Sequence, residues 1–437
     1  MAAVTGIAPP LAVDDLCSFV GSADAGVMNF LNEIALRFPG AISFAAGRPY
    51  DEFYSTELVH HYVDTYVAHL MRQCGGDEVH VRRTLLQYGR TKGIVHDVIA
   101  RMLLVDEGID VDPESIVVTV GAQEAIYLVL RALRRTADDV AFYVRPAYVG
   151  FTGAAQLADM RAIPVPSTAD GIDLAELRTA IHTARASGAR PRVLYLNTDF
   201  ANPTGLTMSL ATRREVLRIA EDERILLIED NPYSLFTGDQ ERVPTLKALD
   251  TAHRVVYVCS FAKTVFPGAR VGFAVADQPV ATGTGTELFA DQLAKLKSVL
   301  TVNTAPIGQA VIAGKLLDHG YSLRAANKRE VDACLRNLRM VRAGLAEAFP
   351  AGTTPAVTWN DPAGGFFIVL DVPFPAGDEE LERSAREHGV LWTPIHHFHG
   401  DGRPRPRIRL SFSHLSPAEI TEGMKRLTGF VKESSQA

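Results

Sequence analysis

At 437 residues, 47% of them hydrophobic and 22% charged, the chain can enclose more than one ordinary core, and its composition excludes a disordered or disulfide-built protein. A formal charge of −7, with no block of lysines and arginines interleaved with aromatics, argues against nucleic acid as a partner. Four scattered cysteines lack Cys-x-x-Cys spacing, residues 1–14 lack a basic-then-apolar leader, and no apolar run is long enough for a bilayer. The expectation is a cytoplasmic protein with reduced thiols and no membrane partner.

In chain order, short β-branched and apolar runs predict buried parallel strands over 116–120, 140–143, 192–197, 225–229, 255–259 and 271–275. Helical spacing over 124–133 and 210–220 supplies crossovers for an α/β architecture with a mostly parallel central sheet flanked by helices. From residue 321 a charged amphipathic stretch (Lys328, Arg329, Glu330, Arg336, Arg339, Arg342) runs to Phe349-Pro350 and reads as a helix into a second unit. Strand-like runs over 365–371 and 407–412 follow. Between them lies His396-His397-Phe398-His399, where no carboxylate stands at a matching spacing; no metal is expected there, and site lining or plain loop is the reading.

The chemistry concentrates at the ends of the predicted strands. In Ser260-Phe-Ala-Lys263-Thr-Val-Phe-Pro-Gly-Ala-Arg270, a primary amine stands between a hydroxyl and a guanidinium, just after a strand that can deliver it to the crevice above a sheet. Such a lysine can form a Schiff base with a carbonyl cofactor. Asp230, in Asp230-Asn-Pro-Tyr233, can keep a pyridinium nitrogen protonated, and Tyr233 can donate to the phenolate of the same ring; a turn cap and a packed tyrosine are the alternatives. The Asn202 amide, in Asn202-Pro-Thr-Gly205, can share that phenolate. Gly121-Ala122-Gln123 opens a helix whose free amides, with Ser260 and Arg270, can hold a phosphate. Tyr148 can cover a flat heterocycle or pack in the core. Arg409 and Arg407 share a strand face, and either can fork onto a carboxylate or form a structural ion pair.

These residues resemble the fold type I pyridoxal-phosphate enzymes, specifically the class I/II aminotransferases of the aminoadipate and kynurenine aminotransferase branch. The resemblance rests on ordered motifs: Ile42-Ser-Phe-Ala-Ala-Gly-Arg-Pro49, Leu86-Gln-Tyr-Gly-Arg-Thr-Lys-Gly93, Asn202-Pro-Thr-Gly205, Asp230-Asn-Pro-Tyr233, the Lys263 block, Gly364-Gly-Phe-Phe367 and Ile408-Arg-Leu-Ser-Phe412. It implies pyridoxal 5′-phosphate bound to Lys263 as a Schiff base, with Lys263 then acting as base and acid in turn. It also implies that Asp230 meets the ring nitrogen, Asn202 and Tyr233 the ring oxygen, and Tyr148 the ring face. Ser260, Arg270 and the Ala122-Gln123 amides would hold the phosphate. Arg409, rather than Arg407, would take the substrate carboxylate, with Gly47 and Asn202 nearby.

By the same resemblance Tyr88 reaches the phosphate of a neighbouring subunit in a homodimer. Residues 1–50 and 321–437 would form a smaller α+β domain around a large cofactor-binding domain of 51–320. The implied reaction moves an amino group between an amino acid and a 2-oxo acid. The same residues equally serve β-elimination, decarboxylation or oxidative deamination of an amino acid or an S-cysteinyl conjugate in natural-product biosynthesis. A ligand-sensing regulator is disfavoured, because the roughly 40 residues before the pattern are not basic. This chain departs from the family in having Ala201 where glutamine is usual, Ala122 where serine is frequent, and Arg48 where an apolar residue is usual. The region of Asn29-Phe30 also lacks an arginine that some relatives carry.

Overall fold

The computed structural model describes residues 11–22, 25–238, 242–352, 354 and 356–436. The first ten residues of the expected leading segment lie outside the described residues.

Seven strands form the central sheet: β1 Ile116–Thr119, β2 Asp139–Arg145, β3 Arg161–Pro166, β4 Arg190–Leu196, β5 Leu226–Asp230, β6 Val255–Ser260 and β7 Gly272–Val275. Their order is β1-β7-β6-β5-β4-β2-β3. From β6 to β3 every pairing is parallel, whereas β7 runs antiparallel to both β6 and β1. The reason is local. Only the segment 261–271 separates β6 from β7, too short for a crossover, so the chain returns beside the strand it has just left. Six strands match the runs read from the sequence. The seventh, β3, carries Pro164 and Pro166 and escapes a hydrophobic-run criterion; as an edge strand it tolerates prolines that an interior strand would not.

Helices cover both faces of this sheet. Those that matter for the site are α1 Thr56–Gln73, α2 Gly121–Leu133, α3 Val149–Leu157, α4 Leu210–Asp222, α5 Phe289–Leu300 and α6 Pro306–Asp318. The start of α2 is set by Gly121 at φ +74°, and the Glu124 carboxylate accepts from the Val120 N–H at 2.6 Å. Residues from α1, α6 and one face of the sheet share one core (Tyr66, Leu316, Phe273), while α2 and α3 pack on the opposite face (Ile126, Phe151, Val256).

The stretch beginning at 321 forms a short turn of helix, Leu323–Ala326, and then α7 Lys328–Ala348. A second, antiparallel sheet follows, made of β8 Thr358–Trp359, β9 Phe367–Ala376, β10 Thr393–Pro394 and β11 Arg405–Ser411 in the order β8-β9-β11-β10. The last helix, α8 Pro417–Ser434, opens with a Ser416/Glu419 capping box and proline in its first turn. Both ends of the described chain meet here. Ile42–Ser43 pairs in parallel with Val390–Leu391, and Ile34 and Phe44 share a core with Leu338, Trp392 and Phe430.

Behind the start of α2, Lys297 donates to Glu124 at 2.9 Å with both side chains almost fully buried, and Thr301 adds a bond of 2.6 Å. Lys297→Met leaves a buried carboxylate without its counter-charge. The substitution is expected to cost about 3–5 kcal/mol, read as a lower urea midpoint at unchanged slope.

Candidate active site

The predicted site residues come from the carboxyl ends of adjacent strands, where an open α/β sheet offers a crevice. Asp230 is the last residue of β5 and Ser260 the last of β6; Asn202 follows β4, Tyr148 follows β2, and Gly121 to Gln123 follow β1. The short return between β6 and β7 carries Lys263 and Arg270 on one connection.

Lys263 is half-buried as a residue, with its amine enclosed: Nζ donates to the Gly47 carbonyl at 2.6 Å and lies 6.0 Å from the centre of the Tyr233 ring. Burial, aided by the Arg409 and Arg270 cations and opposed by Asp230, pushes the amine down from a lysine's ordinary range to about 8. Asp230 faces it from the sheet. Its Oδ2 accepts from the Tyr195 hydroxyl at 2.7 Å, while its Oδ1 is buried and, among the described residues, has no hydrogen-bond partner. Burial raises the carboxyl to about 6, against the pull of Tyr195 and Lys263.

An orphaned carboxylate oxygen is rare in a protein interior, and one beside an amine of lowered basicity suits a cationic ring N–H. By that test the residues fit a pyridine cofactor.

The Tyr233 hydroxyl is raised above the ordinary phenol range by burial and pulled the other way by the Arg409 cation and the nearby Asn202 amide, so these groups stand together. Asn202 Oδ1 accepts from Arg409 Nη1 at 2.6 Å, which turns the amide so that its N–H groups face away from that cation. Tyr148 precedes α3. Burial and the nearby Asp230 charge raise its hydroxyl to about 12 despite Arg270.

At the start of α2 the backbone approaches closely. A Cβ on Gly121 would stand 2.6 Å from Arg270 Nη2, and one on Gly272 would stand 2.6 Å from the Gly121 carbonyl carbon and 2.7 Å from the Ala122 nitrogen. Two glycines thus let the guanidinium and β7 approach the free amides of the helix, as an anion cradle requires. Gln123 is tied back, donating to the Gly150 carbonyl at 2.6 Å.

Arg409 is 4% exposed. Its Nη2 donates to the Ala45 carbonyl at 2.6 Å and to Thr393 at 3.0 Å, and the guanidinium lies 4.4 Å from the Phe367 ring and 5.0 Å from the Phe398 ring. Burial lowers it to about 10. Arg407, two residues away, is exposed and donates to Asp371 at 2.6 Å, so only Arg409 enters the crevice. Tyr88 is not brought in: it is 85% exposed, and among the described residues no hydrogen bond or ring contact joins it to this cluster. Arg48 is exposed, and its carbonyl accepts from Ser413 at 2.6 Å.

The three histidines flank Phe398, the residue of their segment that meets the site. Phe398 covers Arg409, and its carbonyl accepts from the Ala147 N–H at 2.9 Å. The absence of a carboxylate at a matching sequence spacing does not survive folding, because Asp378 closes on the pair: its Oδ1 lies 2.8 Å from His397 Nε2 and 3.7 Å from His396 Nε2. His399 is lowered to about 4 by burial, with Arg405 adding to the effect. Sequence reading missed Tyr195, Thr393 and Phe398. Tyr195 stands in a run whose neighbours Leu194 and Leu196 are also buried, and Thr393 reaches Arg409 only across paired strands, so neither carries a local signal.

A family model described as aminotransferase class I and II matches residues 60–427. The chain belongs to this family. It is 50% identical to the (S)-3,5-dihydroxyphenylglycine transaminase of Amycolatopsis orientalis over 426 residues, 98% of this chain and 96% of that one. The 2-aminoadipate transaminase of Thermus thermophilus is 29% identical over 410 residues, 93% of this chain and 94% of that one. Among solved structures, a multiple substrate aminotransferase from Thermococcus profundus superposes with a TM-score of 0.79 at 26% identity, covering 97% of this chain and 98% of its own. The protein is an aminotransferase, and its cofactor is pyridoxal 5′-phosphate.

Two outcomes test the geometry. In cofactor-free protein the amine of Lys263 is mostly charged below about pH 8 and mostly neutral above it, so the rate of covalent capture of pyridoxal 5′-phosphate is expected to level off above that pH, well before it would for an ordinary lysine. Gly272→Ala forces the start of α2 away from β7; equilibrium dialysis is expected to give a cofactor affinity at least about tenfold weaker, a loss of roughly 1.4 kcal/mol or more.

Proposed function

We propose that this enzyme exchanges the amino group of an arylglycine, of the 3,5-dihydroxyphenylglycine type, with a 2-oxo acid. The observation that carries the reading is the 50% identity across nearly the whole of both chains to the transaminase for that amino acid. In this reading the cofactor, when bound, supplies the electron sink that makes the hydrogen on the substrate Cα acidic.

Everything else falls to the chain. The lowered basicity of Lys263 keeps part of its amine neutral near pH 7, so Nζ can take the Cα proton and give it back. Asp230 holds a proton on the ring nitrogen through its open Oδ1. Asn202 and Tyr233 bond the ring oxygen, and Tyr148 covers the ring face. Ser260, Arg270 and the Ala122 and Gln123 amides bind the phosphate. Arg409 receives the substrate α-carboxylate, exchanging bonds it makes to Ala45 and Asn202, and Gly47, whose carbonyl accepts from Lys263 Nζ, lies beside the substrate. Phe367 and Phe398, whose rings pack against that guanidinium, hold it beside the place proposed for the substrate.

The assembly belongs to the same proposal. The exposed Tyr88 completes the phosphate site of a second copy, which makes the enzyme a homodimer. Residues 51–320 form the large cofactor-binding unit, and residues 1–50 and 321–437 form the smaller one. Cys17, Cys74, Cys259 and Cys334 are all free, which supports residence in a reducing cytoplasm.

Holoenzyme given (S)-3,5-dihydroxyphenylglycine without an oxo acid is expected to lose its visible absorbance within one turnover and to regain it on addition of a 2-oxo acid. 2-Aminoadipate should react at least about tenfold more slowly. Release of ammonia, carbon dioxide or a thiol instead of the 2-oxo acid would overturn transfer in favour of lyase or oxidative chemistry. Arg409→Lys loses the planar fork and is expected to lower kcat/KM by about 2–5 kcal/mol, at least ~30-fold, with the resting absorbance retained.

A further inference from the structure

Tyr195 stands one strand away from Asp230, on β4, with Tyr195 opposite Ile228 in the parallel register. Its ring is 2% exposed and stacks on Phe151 with centroids 4.3 Å apart and planes at 17°. The hydroxyl at the end of that clamped ring meets Asp230 Oδ2 at 2.7 Å and leaves Oδ1 open. Ring stack and strand pairing therefore fix both the angle and the reach of the donor. The Asp230 carboxylate in turn is held in one rotamer with one oxygen presented.

The chemical character of the donor matters as much as its position. A phenol is neutral, and here burial and the adjoining carboxylate both hold it far from ionisation. It stabilises the charged form of Asp230 by a hydrogen bond without cancelling its charge. A guanidinium or imidazolium at the same place would neutralise the carboxylate and weaken its hold on a second cation at Oδ1. The buried carboxyl is displaced upward by loss of water, and this bond, with the Lys263 charge, opposes that displacement.

We propose that Tyr195 is the positioning residue that keeps Asp230 ionised and aimed, and that through Asp230 it sets the protonation of the cofactor's ring nitrogen. This inference rests on the assignment of Asp230 to that nitrogen, and the experiment separates the two.

Holoenzyme is loaded with cofactor carrying ¹⁵N in the ring, and the nitrogen resonance is followed against pH in wild type, Tyr195→Phe, Asp230→Asn and the double variant. Phenylalanine keeps the ring in the Phe151 stack, so thermal melting and cofactor content should match wild type. The expected result for Tyr195→Phe is a deprotonation midpoint lower by about one pH unit, the size of one charge-assisted bond. kcat should fall about tenfold and KM change by less than about twofold. In the Asp230→Asn background, the second substitution should change neither readout. A wild-type resonance in Tyr195→Phe beside an altered one in Asp230→Asn would overturn the role of Tyr195 alone. A wild-type resonance in Asp230→Asn would overturn the assignment of Asp230, and this inference with it. Additive effects in the double variant would mean that Tyr195 acts independently of Asp230, which would overturn the proposal.

Discussion

The short return from β6 to β7 is the constraint on which the site depends. Because the segment 261–271 cannot cross over the sheet, it loops above the strand ends and brings β7 back antiparallel, fixing Lys263 and Arg270 on one small connection. Gly272 then lets β7 touch the start of α2, so the helix amides and the guanidinium share one corner. An amine, an anion cradle and the end of β5 with Asp230 are thereby held at fixed separations by backbone rather than by flexible side chains. A catalytic group on such a support loses little precision to thermal motion.

Electrostatics inside this frame are set by burial more than by pairing. Lys263 is lowered and Asp230 raised, both chiefly by loss of water, while each moderates the shift of the other. Among the described residues Asp230 keeps an oxygen without a hydrogen-bond partner, an arrangement that costs stability in an ordinary core and that the proposed ring N–H would satisfy. Tyr195 makes that arrangement tolerable by satisfying the other oxygen.

The antiparallel sheet contributes its own part by reaching across to the first. Arg409 on β11 bonds Asn202 after β4, Thr393 on β10 and the Ala45 carbonyl near the described start of the chain. One buried guanidinium thus joins three distant stretches of sequence. The Phe398 turn caps it, and His396 and His397 anchor that turn through Asp378. Of the histidines, read from sequence as lining or loop, two hold the turn that carries Phe398.

The sequence by itself determined the α/β class, six of the seven central strands and the ordered motifs that identify the family, because buried parallel strands and strand-end turns leave local patterns of apolar runs and Gly, Pro and Asn. Lys263, Asp230 and Asn202 were legible for the same reason. Spacing left Arg409 and Arg407 open, since both occupy one strand face; the family motif pointed to Arg409, and packing supplies the physical difference, burying the first while Asp371 holds the second at the surface. Tertiary structure alone placed Asp378 beside the histidines and Tyr195 beside Asp230, and it kept the edge strand β3 despite its prolines. Contacts between residues far apart in the chain leave no periodic trace in either segment, so they exist only once the strands have paired and the helices have closed over them.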